Sequence, residues 1–541
     1  MINIFLPVVL CFFVISTSLA QETRFPVRVQ TSATVTSSFY SSSGIAARQP
    51  QNMQYGIIRT SVSLFEMVEL PFEFYFSTKQ TQFQQPFNQF GVSPRISNWL
   101  TLHGGYFSTR ISDFTFGDVR IFGGGVEVTP GDFRFKALYG RTRKAIEPDR
   151  VSYSPEVYKQ MAYAFSIGYG ALSESYFNIN IFHAVDDSTS VISDSALTKP
   201  QENLVGSIDF GTRFGETVTL DGEVGISLFS SNIAADTFDT GIRIPKFLFT
   251  PNSSTRLDGA AKLNCTITPS RVLSFTLSSR WVGPGFMTLG YGLMPNDLLE
   301  FAVGPRLRLL ENKLLIRSKL GIRYNNLRQT KSSTTSRFTG MLGASWQIDN
   351  NIGIDASYNR NQIDSRHKND TLRLSNVFNA FSFSPRITFD AFDGINNLLV
   401  TYNYQNALDK NVYTSSLSDS RTHSINCTHI LQFPSTLSLT TLCLYTKSVM
   451  SSASAQIIHT SETVGKQFFD KTVNASLSIG VNVVQTTQTS NQFVFRLSAT
   501  YNLKDYGSFT CHITNNAFRG DGIVQKNYNE LYGTLQYAIN L

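Results

Sequence analysis

The chain has 541 residues, of which 16% are charged and 13% aromatic, with 43 Phe and 22 Tyr. Charge is scarce beside the roughly 25% of an ordinary soluble protein, so the usual densely charged surface is excluded; so much apolar side chain also excludes disorder. The formal charge of +7 would admit nucleic acid, but Lys and Arg do not gather into the short basic runs that grip a phosphate backbone, so that partner is excluded too.

Residues 1–20 read as a secretion signal. Phe5, Leu6, Val8, Val9, Leu10, Phe12, Phe13, Val14 and Ile15 form an apolar stretch that closes on Ser18-Leu19-Ala20, with small residues where a signal peptidase reads. No Lys or Arg precedes the stretch, and a buried N-terminal helix is the competing reading. Beyond it no run approaches the ~18 apolar residues of a spanning helix. Cys11 would leave with the signal, and the cysteines that remain are too few for a disulfide scaffold.

From Val27 onward the recurring pattern is alternation over about 10 residues, the period of a half-buried strand. Phe133, Phe135, Ala137 and Tyr139 alternate with Arg134, Lys136, Leu138 and Gly140. Phe493, Phe495, Leu497, Ala499, Tyr501 and Leu503 do the same near the end. Tight turns at Pro130-Gly131, Gly215, Pro269, Glu311-Asn312, Asp349-Asn350, Pro434-Ser435 and Asp505 take turns with longer polar connections at 144–157, 185–200, 232–254, 283–298 and 363–369. The two ends of the strands therefore differ in kind.

That asymmetry, with one oily and one wet face, predicts an all-β fold: a large antiparallel transmembrane β-barrel over residues 21–541, with about 26 strands (about 22 to 26 admissible). Short turns would lie in the periplasm and long loops outside. Closure follows physically, because an unpaired strand edge in hydrocarbon costs several kcal/mol per polar group. A soluble stack of sheets or a solenoid is the competing fold, but gives no reason to segregate short from long connections. Too few residues separate Ala20 from Val27 for an N-terminal plug domain. Leu531, Gly533, Leu535, Tyr537, Ile539 and Leu541 share a face of the last strand and resemble the C-terminal signal of barrels inserted by the bacterial assembly machinery, with Leu541 where Phe is commonest. The expected location is the outer membrane of a Gram-negative bacterium, with outer-membrane lipids and that machinery as partners.

Two stretches carry a closer resemblance. One runs from Pro86 to Pro94, through Leu102-His103-Gly104-Gly105-Tyr106, to Gly123–Phe135 with Ala137, Tyr139, Gly140 and Arg141. The other is Gly283-Pro284-Gly285-Phe286-Met287-Thr288-Leu289-Gly290, followed by Asn296-Asp297, Asn312-Lys313-Leu314, Gly321 and Asn325-Asn326-Leu327. Both resemble a group of uncharacterised outer-membrane barrel proteins of the Bacteroidota type. The resemblance implies fold and location, and brings no catalytic or binding residue with it.

The connection opened by Gly283-Pro284-Gly285 holds Phe286, Met287, Leu289, Tyr291, Leu293 and Met294, too apolar for a freely solvated loop. It is expected to fold back into the barrel as a constriction; packing over the rim is the alternative.

No Cys-x-x-Cys, His-Glu-x-x-His, Gly-x-Ser-x-Gly or phosphate-binding Gly-Lys-Ser/Thr motif occurs, so neither an enzyme nor a cofactor or metal is expected. His423 and Ser424, adjacent on a strand, point to opposite faces, and His512 reads as a polar wall position. Cys265, Cys427, Cys443 and Cys511 fall on the apolar face, and a turn pairing Phe433 with Leu437 would set Cys427 opposite Cys443, where a cross-strand disulfide is conceivable.

Inward charge is the functional signal. Opposite the oily register lie Lys262, Arg280, Arg306, Arg308, Arg317, Lys319, Arg323 and Arg337, a basic wall, with Asp209, Asp221, Glu223 and Asp258 nearby. A basic wall concentrates anions in a narrow pore; mutual neutralisation across strands is the alternative. The expected function is a channel or transporter for small polar solutes with an anionic preference. A non-conducting structural, secretion or adhesion component, its lumen filled by loops or a partner, is the competing class.

Overall fold

The computed structural model describes residues 27–541 apart from 65–67, 79–88, 148–155, 192–197, 238–243, 246–247, 368, 370–371, 412, 452, 505, 521–525 and 541. The segment expected to be a secretion signal, 1–20, lies outside the described residues.

Each strand pairs antiparallel with its neighbour in the chain, from Val27–Ser43 to Tyr528–Asn540, and the last then returns to the first with Ser32 opposite Asn540 and Ser43 opposite Asn529. The cylinder is closed. Its 27 hydrogen-bonded strands form 26 staves, because Gln89–Val92 and Arg95–Ile96 are two pieces of one stave between Val68–Ser77 and Leu100–Phe107. Between the pieces sit Ser93 and Pro94; proline has no N–H to give the ladder, and Ser97 just beyond takes a left-handed φ of 53°.

Alternation puts Leu263, Leu277, Phe301 and Leu320 on the exposed outer face. Their strand neighbours point inward. The short-turn rim carries exposed Tyr169, Phe214, Phe392, Phe469 and Tyr506, an aromatic girdle of the kind that sits at a membrane interface. Phe392 and Asp393 both take φ near 55°, the two-residue turn whose twist matches its flanking strands.

Two features of the long-connection rim differ from expectation. Residues 363–367 continue the strand Ile352–His367, because Ser333–Gln347 and Leu374–Ala391 pair with it almost to its end. Near the C-terminus this rim also turns tightly, with only 451–453 and 486–488 between strands.

Candidate functional site

Two connections of the long rim dive into the lumen and pack on each other. The first, 108–120, joins Leu100–Phe107 to Ile121–Val128. Its tip, Ser112-Asp113-Phe114-Thr115-Phe116, is pinched by the Ile111 N–H donating to the Phe116 carbonyl (2.8 Å) and by Ser112 Oγ against Thr115 Oγ1 (2.7 Å). Wall residue Glu223 holds this tip: its two carboxylate oxygens accept the N–H groups of Asp113 (3.0 Å) and Phe114 (3.2 Å). Glu223 is 1% exposed, and a carboxylate so buried survives only when its lone pairs are met. Lys262 supplies the counter-charge, binding Asp113 and lying 3.7 Å from Glu223. The Arg280 guanidinium stands 5.8 Å above the Phe114 ring.

The second connection, 283–297, leaves the strand Leu273–Val282 and enters Leu298–Leu309. Phe286 is 1% exposed and meets Phe114 edge-on at 5.7 Å. Thr288 donates to the Thr115 carbonyl and Tyr291 to the Ser112 carbonyl, both at 2.6 Å. Phe116 and Gly290 form a parallel bridge, where a Cβ on Gly290 would sit 2.2 Å from the Thr115 oxygen; only glycine allows that approach. The wall grips this loop too. Asn203 donates to the Met287 carbonyl (3.0 Å) and accepts from the Leu289 N–H (2.9 Å), while Asp258 accepts from the Gly285 N–H (2.7 Å) and Arg328 (2.8 Å).

Between loops and wall lies an apolar core that includes Phe107, Phe114, Phe116, Phe182, Val205 and Phe286, with Leu289 and Met294 packed against it. Burying each large side chain is worth about 1.5–3 kcal/mol, so the two loops form a docked plug. Of the residues expected to constrict, Phe286 is in the core, Leu289 and Met294 flank it, Met287 and Tyr291 contribute polar atoms, and Leu293 stays 87% exposed.

The charged residues singled out above share the inner face. One cross-strand row runs Asp209, Glu223, Lys262, Arg280, Glu300, Arg323, Arg337. Its acidic end is engaged by polar neighbours: Asp209 accepts from Asn178 (2.7 Å) and Asn180 (2.6 Å), and in the next row Asp221 accepts from Asn264 (2.8 Å). Lys262 and Arg280 belong to the plug. The other cations do not: Arg306, Arg308, Arg317, Lys319, Arg323 and Arg337 make no ion pair with any described residue. Arg306 faces Arg317 directly, and Arg323 faces Arg337.

Sequence reasoning passed over Glu300, Asn203 and the whole first loop. Phe114 and Phe116 flanking a threonine between two strands were the available signal for that loop. On the outer face Cys427 does lie opposite Cys443, and both thiols are free. His423 meets the Tyr402 hydroxyl (2.9 Å) whereas Ser424 meets Thr446 (3.2 Å), so the two neighbours look in different directions.

No protein-family model and no curated protein matches the chain. Among solved structures it is similar to the siderophore receptor PirA from Pseudomonas aeruginosa, at 10% identity over 96% of this chain and 81% of that one with a TM-score of 0.39. OccK2 (OpdF) of the same organism, in complex with glucuronate, matches at 9% identity over 95% and 98% with a TM-score of 0.30. The translocation pore of the P pilus usher PapC matches at 10% over 95% and 99% with a TM-score of 0.26.

Proposed function

We propose that this chain is an outer-membrane barrel that passes small polar solutes, with a preference for anions, through a lumen narrowed by the two-loop plug. In this reading it is exported by way of residues 1–20, delivered to the outer membrane of a Gram-negative bacterium by the barrel-assembly machinery acting on the strand Tyr528–Asn540, and bathed by lipid around its apolar band. It sits with the Bacteroidota-type barrels on the strength of the two stretches quoted above, the second of which begins in the plug's 283–297 loop.

The carrying observation is the set of six inward cations with no ion pair among the described residues, two pairs of which face like charge across a strand boundary. Like charges directly opposite each other destabilise a sheet. Such an arrangement supports an inner wall that meets anions from solution, because a low-dielectric throat amplifies the field of its lining. Planar-bilayer reversal potentials under a salt gradient test this. The folded protein is expected to favour chloride over potassium, and combined Arg306→Gln, Arg317→Gln, Arg323→Gln and Arg337→Gln to abolish the preference. Conduction without ion preference removes the anionic part of the proposal.

The plug's apolar core favours a second reading, a barrel held shut that serves a structural, secretion or adhesion role. Absence of conductance, in the parent and in a variant lacking 108–120, would decide for it.

A further inference from the structure

Below the plug, three staves bring Ser93, His103 and Glu127 together on the inner face. The Ser93 hydroxyl lies 2.9 Å from His103 Nδ1, and His103 Nε2 lies 3.3 Å from Glu127 Oε1. We propose that these residues form a nucleophilic site that hydrolyses small carboxylic esters, independent of whether the lumen conducts.

Protons are ordered by the partners. An ionised carboxylate only accepts hydrogen bonds, so Nε2 carries the ring proton toward Glu127 and Nδ1 turns its lone pair to the Ser93 hydroxyl. That is the base-ready tautomer of a Ser-His-acid arrangement, which is recognised by geometry and not by order in the chain. Each member is fixed in turn. Glu127 binds the Lys136 ammonium (2.9 Å) and the Thr109 hydroxyl (2.5 Å), and the His103 ring stacks on Phe107 at 4.7 Å. Ser93 sits where the stave is broken, and borders a cavity of about 920 Å³ that Arg28, Arg59, Arg120 and Ser108 also line. Those guanidinium groups make the cavity basic, which suits an ester that bears negative charge.

In the reaction Ser93 Oγ bonds to the ester carbonyl carbon and its proton passes to His103 Nδ1. Collapse of the adduct breaks the bond to the leaving alcohol, which takes that proton. Water repeats the sequence on the acyl-serine, releasing the carboxylic acid and restoring the hydroxyl. Glu127 is a positioning residue that compensates the transient imidazolium.

A polar staple holding the plug's stem would show the same contacts but no reactive serine. The test is labelling of the full-length, detergent-folded barrel with a fluorophosphonate, read by mass spectrometry, together with p-nitrophenyl acetate hydrolysis. Label is expected on Ser93, lost in Ser93→Ala and lowered about 100-fold or more in His103→Gln. Glu127→Gln should alter the pH profile of labelling. Heat-modifiable migration confirms that each variant is folded, and should His103→Gln fail to fold, alkylation of Ser93→Cys by iodoacetamide, faster than that of the native cysteines, replaces it. An unlabelled Ser93 in a folded barrel, or labelling indifferent to His103, overturns the proposal.

Discussion

Glu223 shows how much one side chain decides. It spans no loop and touches no solvent, yet it accepts the two N–H groups that keep the first loop's tip against the wall. Glu223→Ala would leave those two donors without their acceptor and Lys262 with Asp113 alone, a loss of about 1–3 kcal/mol per unsatisfied buried group. Residues 108–120 are then expected to detach, giving larger and noisier single-channel currents than the parent; unchanged current would mean that the Phe core alone seats the plug. The inward side of Glu223 was legible in the sequence, since alternation fixes parity. Its engagement was not, because period-2 patterning tells which face a residue occupies and nothing about what reaches across to meet it. The same holds for Lys262 and Arg280, read as wall cations and found beneath the loop.

Among elements, the second plug loop could be read in advance because its apolar residues outnumber what a solvated connection tolerates. The first offered only Phe114 and Phe116 as a signal, a weak one because they sit among Ser, Thr, Asp and Arg and resemble an ordinary turn. Ser93, His103 and Glu127 escaped a motif search because their spacing belongs to three staves, and only register brings them side by side. A link between loops carries its own pH dependence. Asp297, closing the second loop, is nearly fully buried; burial pushes its carboxyl up, but Lys331 and the N–H groups of Leu327 and Asn326 together hold it below the usual carboxylate range. A folded-state value below the unfolded one means the stabilisation is complete above about pH 4 and fades as pH falls through the lowered value. Amide exchange at Leu327 should therefore accelerate on acidification below about pH 4, and Asp297→Asn should remove that dependence.

At the scale of the molecule the architecture was nearly all visible beforehand. Strand number, hairpin order and the placement of the start of Val27–Ser43 and the end of Tyr528–Asn540 at the short-turn rim follow from alternation and turn spacing. The split stave was not visible, because Pro94 reads equally well as a turn between two strands, and neither was the tightening of the long rim near the C-terminus. Closure makes stability a property of the whole ring: removing 528–541 would expose the edges of Val27–Ser43 and Gly507–Arg519 together. Such a truncation is expected to lose heat-modifiable migration entirely and to aggregate, and a folded shorter barrel would show that the seam can reseal.

The plug docks on one arc only. Its core draws on wall residues between Phe107 and Leu298, and among the described residues no side chain from the strands after Ser333 enters it. The free bore is consequently an eccentric crescent in which six cations gather on the three adjacent staves Leu298–Leu309, Leu314–Asn325 and Ser333–Gln347, whereas inward charges elsewhere, such as Arg59, Arg496 and Glu530, are spread over separate staves. A dipolar molecule moving through such a crescent would be turned by the transverse field, its negative pole swung toward the cationic flank much as a needle settles in a compass, so that shape and orientation would be sorted along with charge.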